Sequence, residues 1–329
     1  MLNSQQSWQL ALTNAVTNVQ ELCDILNLDS HPLQNQWIHH SAFSLRVPRS
    51  FVARMEKGNP SDPLLMQVLP LTQELELSPH YCQDPLQEKQ SNPVPGLLHK
   101  YYGRVLLIAA SGCAIHCRYC FRRNFPYEDN SPGLSGWRPA LDYIAKDSTI
   151  SEVILSGGDP LILKDNYLAH LIEQLASIPH LKILRIHTRL PIVLPERITD
   201  SLITALTASR LQPVVVTHCN HPRELDRHVE QALKALRQAN ITLLNQFVLL
   251  RGINDNPDTL ITLCQQLFFN GVLPYYLNLL DPVQGTEHFA VSTEEGQQLI
   301  QSMRARLPGY LVPKLVREVP GETSKVKKD

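Results

Sequence analysis

The sequence lacks any marked excess of charge of one sign. Thirty basic and 31 acidic residues leave a formal net charge of −1 over 329 residues. Without a basic excess, the chain has no electrostatic footprint for nucleic acid or for an anionic membrane surface. We therefore expect no nucleic-acid partner and no membrane partner, and small-molecule chemistry is the favoured class of function.

Long apolar runs are also missing. No stretch approaches the roughly 18 consecutive apolar residues that a membrane-spanning helix needs. In residues 1–19, where a signal peptide would need an unbroken apolar core, polar side chains interrupt the pattern. These are Gln5, Gln6, Gln9, Thr13 and Asn14. The pattern predicts a cytoplasmic protein.

Cysteine is scarce, and its count of seven is odd. An odd number in a long chain fits free thiols and metal ligands better than a disulfide framework. Four of the seven are scattered and are interpreted as ordinary core or surface thiols: Cys23, Cys82, Cys219 and Cys264. The other three form the compact motif C-x3-C-x2-C at Cys113, Cys117 and Cys120.

Strand-like and helical patterns alternate along most of the chain, and 43% hydrophobic content can fill a substantial core. The predicted strands cover residues 104–108, 152–155, 182–186, 213–216, 241–244 and 274–277. The predicted helices between them cover residues 137–147, 164–177, 196–209, 222–239 and 256–270. Five such periods after the first strand predict parallel strands joined by helical crossovers.

Motif-bearing residues follow four of these strands. Active sites of parallel α/β folds collect at the carboxyl ends of their strands, and a barrel brings those ends around one mouth. The sequence therefore predicts an α/β fold, a partial (β/α)6 TIM-like barrel with an N-terminal helical arm. A doubly wound open sheet is the alternative.

The first 95 residues are predicted to form this arm and a connector. A helix is expected over residues 7–27, a second from Pro48 to Gly58, and a third, short one over residues 62–69. Residues 78–96 are rich in proline and polar side chains and are interpreted as a connector. The predicted units are residues 1–95, the barrel over 96–310, and a C-terminal segment over 311–329.

The three clustered cysteines can aim three thiolates at one point. A [4Fe-4S] cluster normally takes four such ligands, so three would leave one iron open to a small molecule. We interpret that molecule as S-adenosylmethionine (SAM), whose sulfonium can accept one electron to give methionine and a 5′-deoxyadenosyl radical. Tyr119, directly before Cys120, fits this context. The alternative is a structural zinc site with His116 as fourth ligand.

Two further motifs follow strands of the predicted barrel. Ser156-Gly157-Gly158-Asp159 is either an ordinary glycine turn or a place where backbone approaches the amino and carboxylate groups of SAM. His187 follows the third strand and is expected near the same molecule.

Together these motifs resemble the radical SAM superfamily, and several segments resemble lysine 2,3-aminomutase in particular. Those segments are residues 117–123 (CRYCFRR), 187–191 (HTRLP), 220–222 (NHP), 245–255 (NQFVLLRGIND), 274–276 (PYY) and 287–289 (EHF). The resemblance runs from about Phe51 to the C-terminus. It is strongest to the short bacterial type that acts in β-lysylation of elongation factor P.

The resemblance implies pyridoxal phosphate as a further cofactor. It assigns Lys325, which follows a Pro-Gly turn, as the lysine that holds this cofactor; the neighbouring Lys327 is the alternative. It also places Lys100, Tyr101 and Arg104 beside the cofactor, with the two cations near its phosphate.

The resemblance also implies the substrate and its contacts. Arg122 would pair with the substrate carboxylate, and Asp281 and Glu318 would face a distal ammonium. The implied reaction is isomerisation of L-α-lysine to (R)-β-lysine, with a flavodoxin-type or ferredoxin-type reductant protein and a functional link to elongation factor P and its ligase. Two alternatives remain: the same fold acting on glutamate or arginine, and a non-catalytic iron-sulfur or zinc protein.

Overall fold

One nine-stranded sheet organises the chain, of which the computed structural model describes residues 4–28, 37–38, 43–130 and 136–329. Its strands are β1 (Leu97–Tyr101), β2 (Arg104–Ala110), β3 (Glu152–Gly157), β4 (Ile183–Thr188), β5 (Gln212–Thr217), β6 (Thr242–Val248), β7 (Leu273–Asn278), β8 (Lys314–Arg317) and β9 (Val326–Lys327). Strands β2 to β8 are parallel, and β1 and β9 pair antiparallel at the two edges. Because spatial order follows chain order without reversal, the doubly wound alternative is wrong and the partial barrel is confirmed.

The two edges of this sheet approach each other without pairing. Within the described residues, β1 has no hydrogen-bonded neighbour besides β2, and β9 has none besides β8. Lys100 in β1 nevertheless reaches Glu318, just after β8, with 2.7 Å between its Nζ and Oε1 of the glutamate. Side chains, rather than a strand ladder, bridge the open side of the barrel.

Helices cover the outside of the sheet. The α-helices are α1 (Ser4–Thr13), α2 (Val19–Leu26), α3 (Arg49–Val52), α4 (Tyr127–Asn130), α5 (Arg138–Lys146), α6 (Asp165–Ala176), α7 (Leu190–Val193), α8 (Asp200–Thr207), α9 (Arg227–Gln238), α10 (Pro257–Phe269) and α11 (Thr293–Arg304). Short 3-10 helices lie at Thr72–Leu75, Glu88–Ser91, Pro160–Ile162, Pro195–Arg197, Pro222–Glu224, Glu287–Phe289 and Gly309–Leu311. The five predicted crossover helices are confirmed as α5, α6, α8, α9 and α10.

Side-chain caps explain why two of these helices begin later than predicted. Thr199 accepts from the backbone N–H of Leu202 and starts α8. Asp226 accepts from the N–H groups of His228 and Val229 and starts α9. Each cap satisfies donors that the first helical turn leaves free, which contributes about 1 kcal/mol.

The predicted single helix over residues 7–27 is wrong. Val16 pairs antiparallel with Val47, with N–O distances of 2.8 and 2.9 Å, and this short bridge separates α1 from α2. Asn18 then caps α2 by accepting from the N–H of Glu21 at 3.1 Å. A long-range backbone pairing has overridden the local helical period.

The other two predicted arm helices are shorter or absent. The helix after Pro48 is only α3, one turn long. Residues 62–69 form successive turns instead of a helix, although the Asp62 carboxylate accepts from the N–H groups of Leu64 and Leu65 at 2.8 and 3.0 Å as a helix N-cap does. The division of the chain at residues 95 and 310 stays a prediction. Trp8 and Phe51 of the arm share one hydrophobic core with Leu107 of β2.

No helix within the described residues is long and apolar enough to cross a membrane.

Candidate active site

The cysteine loop lies at the carboxyl end of β2 and packs directly on the glycine turn after β3. The N–H of Gly158 donates to the carbonyl of Ala110 at 2.7 Å, and the N–H of Asp159 donates to that of Gly112 at 2.8 Å. A Cβ on Gly158 would lie 2.1 Å from the Gly112 oxygen, and Gly157 has φ +111°. Only glycines permit this contact, so the turn positions the loop that carries the three cysteines.

Asp159 fastens the same turn to the end of β4. Its Oδ1 accepts from Thr188 Oγ1 at 2.7 Å and from the N–H of Leu161 at 3.0 Å. Its Oδ2 accepts from the N–H groups of Arg189 and Leu190 at 2.7 and 3.2 Å. Burial raises the pKa of this carboxyl, although these hydrogen bonds oppose the rise. Both carboxylate oxygens therefore accept hydrogen bonds from the protein itself, and the side chain links the carboxyl ends of β3 and β4.

The N-terminal arm holds the other side of the cysteine loop. Arg118, fully buried, donates to both oxygens of Glu74 at 2.8 and 2.5 Å and to the carbonyl of Phe43 at 2.7 Å. Arg123 donates to the same glutamate at 2.7 Å. Burial alone would raise the pKa of Glu74, but these two cations hold it below its usual value. The arm therefore helps to build the site.

The three cysteines are half-buried free thiols. Burial, helped by the neighbouring thiols, raises the pKa of Cys113 well above its usual value and that of Cys120 to about 11. Metal ligation requires the thiolate, and a bound metal removes the proton. This set of soft sulfur donors fits an iron-sulfur cluster.

His116, the fourth ligand of the zinc alternative, is held by the N-terminal arm. His116 Nδ1 lies 2.8 Å from the carbonyl oxygen of Ser44, and its ring stacks on Phe43 with 5.1 Å between centroids. Within the described part of the chain, no three His, Cys, Asp or Glu side chains converge closely enough to share one metal ion. A cluster in which each thiolate binds a different iron does not need such convergence.

A second group of charges lies at the open side of the barrel. The amine of Lys325 is 2.7 Å from Asn278 Oδ1, 3.9 Å from Glu318 Oε2 and 5.4 Å from the centroid of the Tyr276 ring. Burial lowers the pKa of Lys325, although the nearby carboxylates oppose this. A larger fraction of neutral amine makes a lysine a better nucleophile. The competing Lys327 lies in β9 with its side chain exposed.

Asp281 faces the same space without a partner. Burial raises its pKa to about 7, against the opposing charge of Lys325. Within the described residues, no group donates a hydrogen bond to its carboxylate oxygens. A desolvated carboxylate without a hydrogen-bond donor is stabilised by an incoming cation. Its setting fits a ligand ammonium.

The guanidinium of Arg122 already binds a carboxylate through two hydrogen bonds. Its Nε and Nη2 donate to the two oxygens of Glu88, each at 2.9 Å, and its Nη1 donates to Ser156 Oγ at 3.1 Å. Lys100 also donates to Glu88, at 3.1 Å. Burial alone would raise the pKa of Glu88, but the two cations hold it at about 2. Sequence reasoning placed Glu88 in a connector and missed it, because no local pattern distinguishes it.

Three further residues predicted for the site are Tyr101, Arg104 and His187. The Arg104 guanidinium lies 4.8 Å from the centroid of the Tyr101 ring, and burial raises the pKa of the Tyr101 hydroxyl. A cavity of about 170 Å³ lies beside Lys100, Tyr101 and Glu318. His187 Nε2 is buried without a hydrogen-bond partner among the described residues, and burial lowers the pKa of this imidazole well below its usual value.

Comparison with known proteins matches this architecture. The sequence model described as the Radical SAM superfamily matches residues 107–264, which include all three clustered cysteines. A protein named L-lysine 2,3-aminomutase from Haemophilus influenzae is 49% identical over 325 residues, covering 99% of this chain and 96% of that protein. An Escherichia coli protein of the same name is 50% identical over 329 residues, covering 99% of this chain and 95% of that protein.

A third relative of that name, from Clostridium subterminale, is 36% identical over 318 residues and covers 95% of this chain and 76% of the relative. These near-complete alignments confirm the predicted resemblance. Membership implies a [4Fe-4S] cluster, SAM and pyridoxal phosphate, and the residues described above fit all three. The chain belongs to the lysine 2,3-aminomutase family of radical SAM isomerases.

Proposed function

We propose that this protein moves the α-amino group of L-lysine to the β carbon and releases (R)-β-lysine. The proposal rests on one observation: the amine of Lys325 and the carboxylate of Asp281, which lacks a hydrogen-bond partner among the described residues, face one space at the barrel mouth. The names and near-full-length similarity of the relatives support the same activity.

Cys113, Cys117 and Cys120 would hold the cluster and leave one iron for SAM. Gly157 and Gly158 keep the cysteine loop against β3. The orphaned Nε2 of His187 is available to hydrogen-bond a ligand. When bound, the reduced cluster and SAM supply a carbon-centred radical that abstracts hydrogen, and pyridoxal phosphate carries the migrating amino group.

Lys325 would hold pyridoxal phosphate covalently through its amine. Lys100 and Arg104 supply positive charge for the phosphate, and the Tyr101 ring under Arg104 supplies an aromatic face. Glu318 contacts both Lys100 and Lys325, at 2.7 and 3.9 Å, and so keeps the two amines oriented.

The charges around the substrate space favour lysine over an acidic amino acid. Arg122 would bind the substrate carboxylate by sharing or replacing its contact with Glu88. Asp281 and Glu318 would face the distal ammonium, and two carboxylates would repel the side chain of glutamate. Arginine is the remaining alternative, since it also ends in a cation.

The reaction needs an electron donor for the cluster, which we propose is a flavodoxin-type or ferredoxin-type protein. We further propose that β-lysine passes to a separate ligase that modifies elongation factor P. The support is the resemblance to the short bacterial type, together with the 50% identity to the Escherichia coli relative over 99% of this chain.

An anaerobic assay tests the proposal. Reconstituted protein with SAM, pyridoxal phosphate and dithionite is incubated separately with lysine, arginine and glutamate, and β-isomers are measured by mass spectrometry. We expect β-lysine from lysine and no β-isomer from glutamate. Absence of β-lysine contradicts the assignment, and absence of every product from protein that contains its cluster favours the non-catalytic alternative.

Asp281 predicts a pH-dependent difference in the stability of the ligand-free protein. Its pKa is about 7 in the folded chain against an ordinary 3.8. The charged, desolvated carboxylate therefore destabilises the fold above pH 7, and protonation relieves this as the pH falls. Between pH 8 and pH 6 we expect wild type to gain about 1 kcal/mol in free energy of unfolding relative to Asp281→Asn. Denaturant titrations of both proteins measure this; parallel pH profiles contradict it.

A further inference from the structure

Arg189 lies in the segment of residues 187–191 and has no part in the function proposed above. Its Nη1 lies 2.8 Å from Sγ of Cys117. We infer that Arg189 is a positioning residue for the iron-sulfur cluster, whose hydrogen bond to Cys117 raises the cluster's reduction potential. This inference rests on the proposal that the three cysteines hold the cluster.

The guanidinium is held in one orientation from several sides. Its side chain is 5% exposed. Nη2 donates to Gln67 Oε1 at 2.5 Å and to Glu224 Oε2 at 3.1 Å. The group also lies 5.4 Å from the centroid of the Phe51 ring and 5.8 Å from that of Tyr119. Such a group has few alternative rotamers, so its donor stays aimed at the sulfur.

The Asn220-His-Pro motif, also without a role so far, supports the same contact. The N–H groups of Asn220 and His221 both donate to Glu224 Oε1, at 3.0 and 3.1 Å. The Asn220 amide donates to the hydroxyl of Tyr119 at 2.6 Å and to Gln67 Oε1 at 3.0 Å. The motif therefore orients the Glu224 carboxylate, which in turn orients Arg189, and it also anchors Tyr119 between Cys117 and Cys120.

The three cysteines are not equivalent in this respect. Within the described part of the chain, Cys117 receives a hydrogen bond from a cationic side chain, whereas Cys113 and Cys120 receive none of that kind. Hydrogen bonds to ligand sulfur and nearby positive charge stabilise the more negative, reduced state of a cluster. Glu224 offsets part of the charge of Arg189, but the donor itself points at sulfur.

Potentiometric titration of the reconstituted protein, followed by the electron paramagnetic resonance signal of the reduced cluster, tests the inference. Arg189→Met keeps the chain length and removes charge and donors. At fixed applied potential we expect about a tenfold lower ratio of reduced to oxidised cluster, equal to about 59 mV for a one-electron couple. Arg189→Lys keeps the charge without the fork and should shift the potential in the same direction by less.

Arg197→Met is the matched control. Arg197 is also fully buried, forms an ion pair with Asp165 at 2.7 Å and lies 4.4 Å from the Trp8 ring centroid. Within the described residues its hydrogen bonds go to the carbonyls of Leu161 and Leu163 and not to a cysteine sulfur. Its loss should lower thermal stability without shifting the cluster potential.

The outcomes separate this inference from the proposed function. An unshifted potential in Arg189→Met that retains its iron overturns the role of Arg189. Should that variant lose its cluster, Arg189→Lys decides: a lowered potential supports the inference and an unshifted one overturns it. Wild-type protein that binds no cluster overturns the proposed function itself, and this inference with it.

Discussion

Replacing Cys113, Cys117 or Cys120 with alanine is expected to abolish cluster binding and to lower the rate of β-lysine formation by more than about 1,000-fold. Each thiolate would bind a different iron, so the two that remain could not hold a complete cluster with one open site. Iron and sulfide content, visible absorbance and product yield of the reconstituted variants measure the effect.

Cys82→Ala provides the control, because this thiol is exposed and lies outside the motif. It should keep the iron content and activity of wild type. Misfolding is distinguished from loss of ligation by the absorbance of bound pyridoxal phosphate, which each single cysteine variant should retain through Lys325. Full iron content in a Cys117→Ala protein would show that another residue supplies the third ligand.

The barrel strands could be predicted from the sequence because strands buried on both faces of a parallel sheet give short apolar runs between helical periods. Strand β8 was missed, since only Leu315 and Val316 of its four residues are buried. The antiparallel edge strands β1 and β9 are similarly weak in the sequence. Their existence depends on neighbouring strands rather than on a pattern of their own.

The arm shows the limit of local periodicity. Apolar residues spaced three and four apart in residues 7–27 predict one helix, but Val16 forms an antiparallel backbone bridge with Val47 instead. Likewise, Glu74 gives no local sign that it anchors Arg118 and Arg123 of the cysteine loop. Ion pairs between distant segments leave no signature in one sequence.

The residues of the candidate site differ in the same way in how far the sequence predicts them. The cysteines could be predicted from spacing alone, because one loop carries all three. Lys325 could be predicted only through the resemblance, and Glu88 not at all. Yet Glu88 balances the charges of both Arg122 and Lys100 in the ligand-free protein. A substrate carboxylate that binds Arg122 must therefore compete with the existing ion pair between Arg122 and Glu88.

Replacing Lys325 with alanine is expected to remove the visible absorbance of protein-bound pyridoxal phosphate and to lower β-lysine formation by more than about 1,000-fold. The amine of Lys325 is half-buried and has a lowered pKa, and Asn278 orients it through a 2.7 Å hydrogen bond. Alanine removes the nucleophile while leaving Asp281 and Glu318 in place. Absorbance of the purified variant after incubation with the cofactor measures the effect.

Lys327→Ala is the matched comparison, since it removes an amine two residues away that is exposed to solvent. It should keep both the cofactor absorbance and the activity. The iron content should be the same in both variants, because neither lysine belongs to the cysteine loop that follows β2. Retained absorbance in Lys325→Ala with loss in Lys327→Ala would transfer the covalent role to Lys327. The burial of Lys325 argues that the absorbance is lost in Lys325→Ala and kept in Lys327→Ala, since burial lowers the pKa of the Lys325 amine and so favours its nucleophilic form.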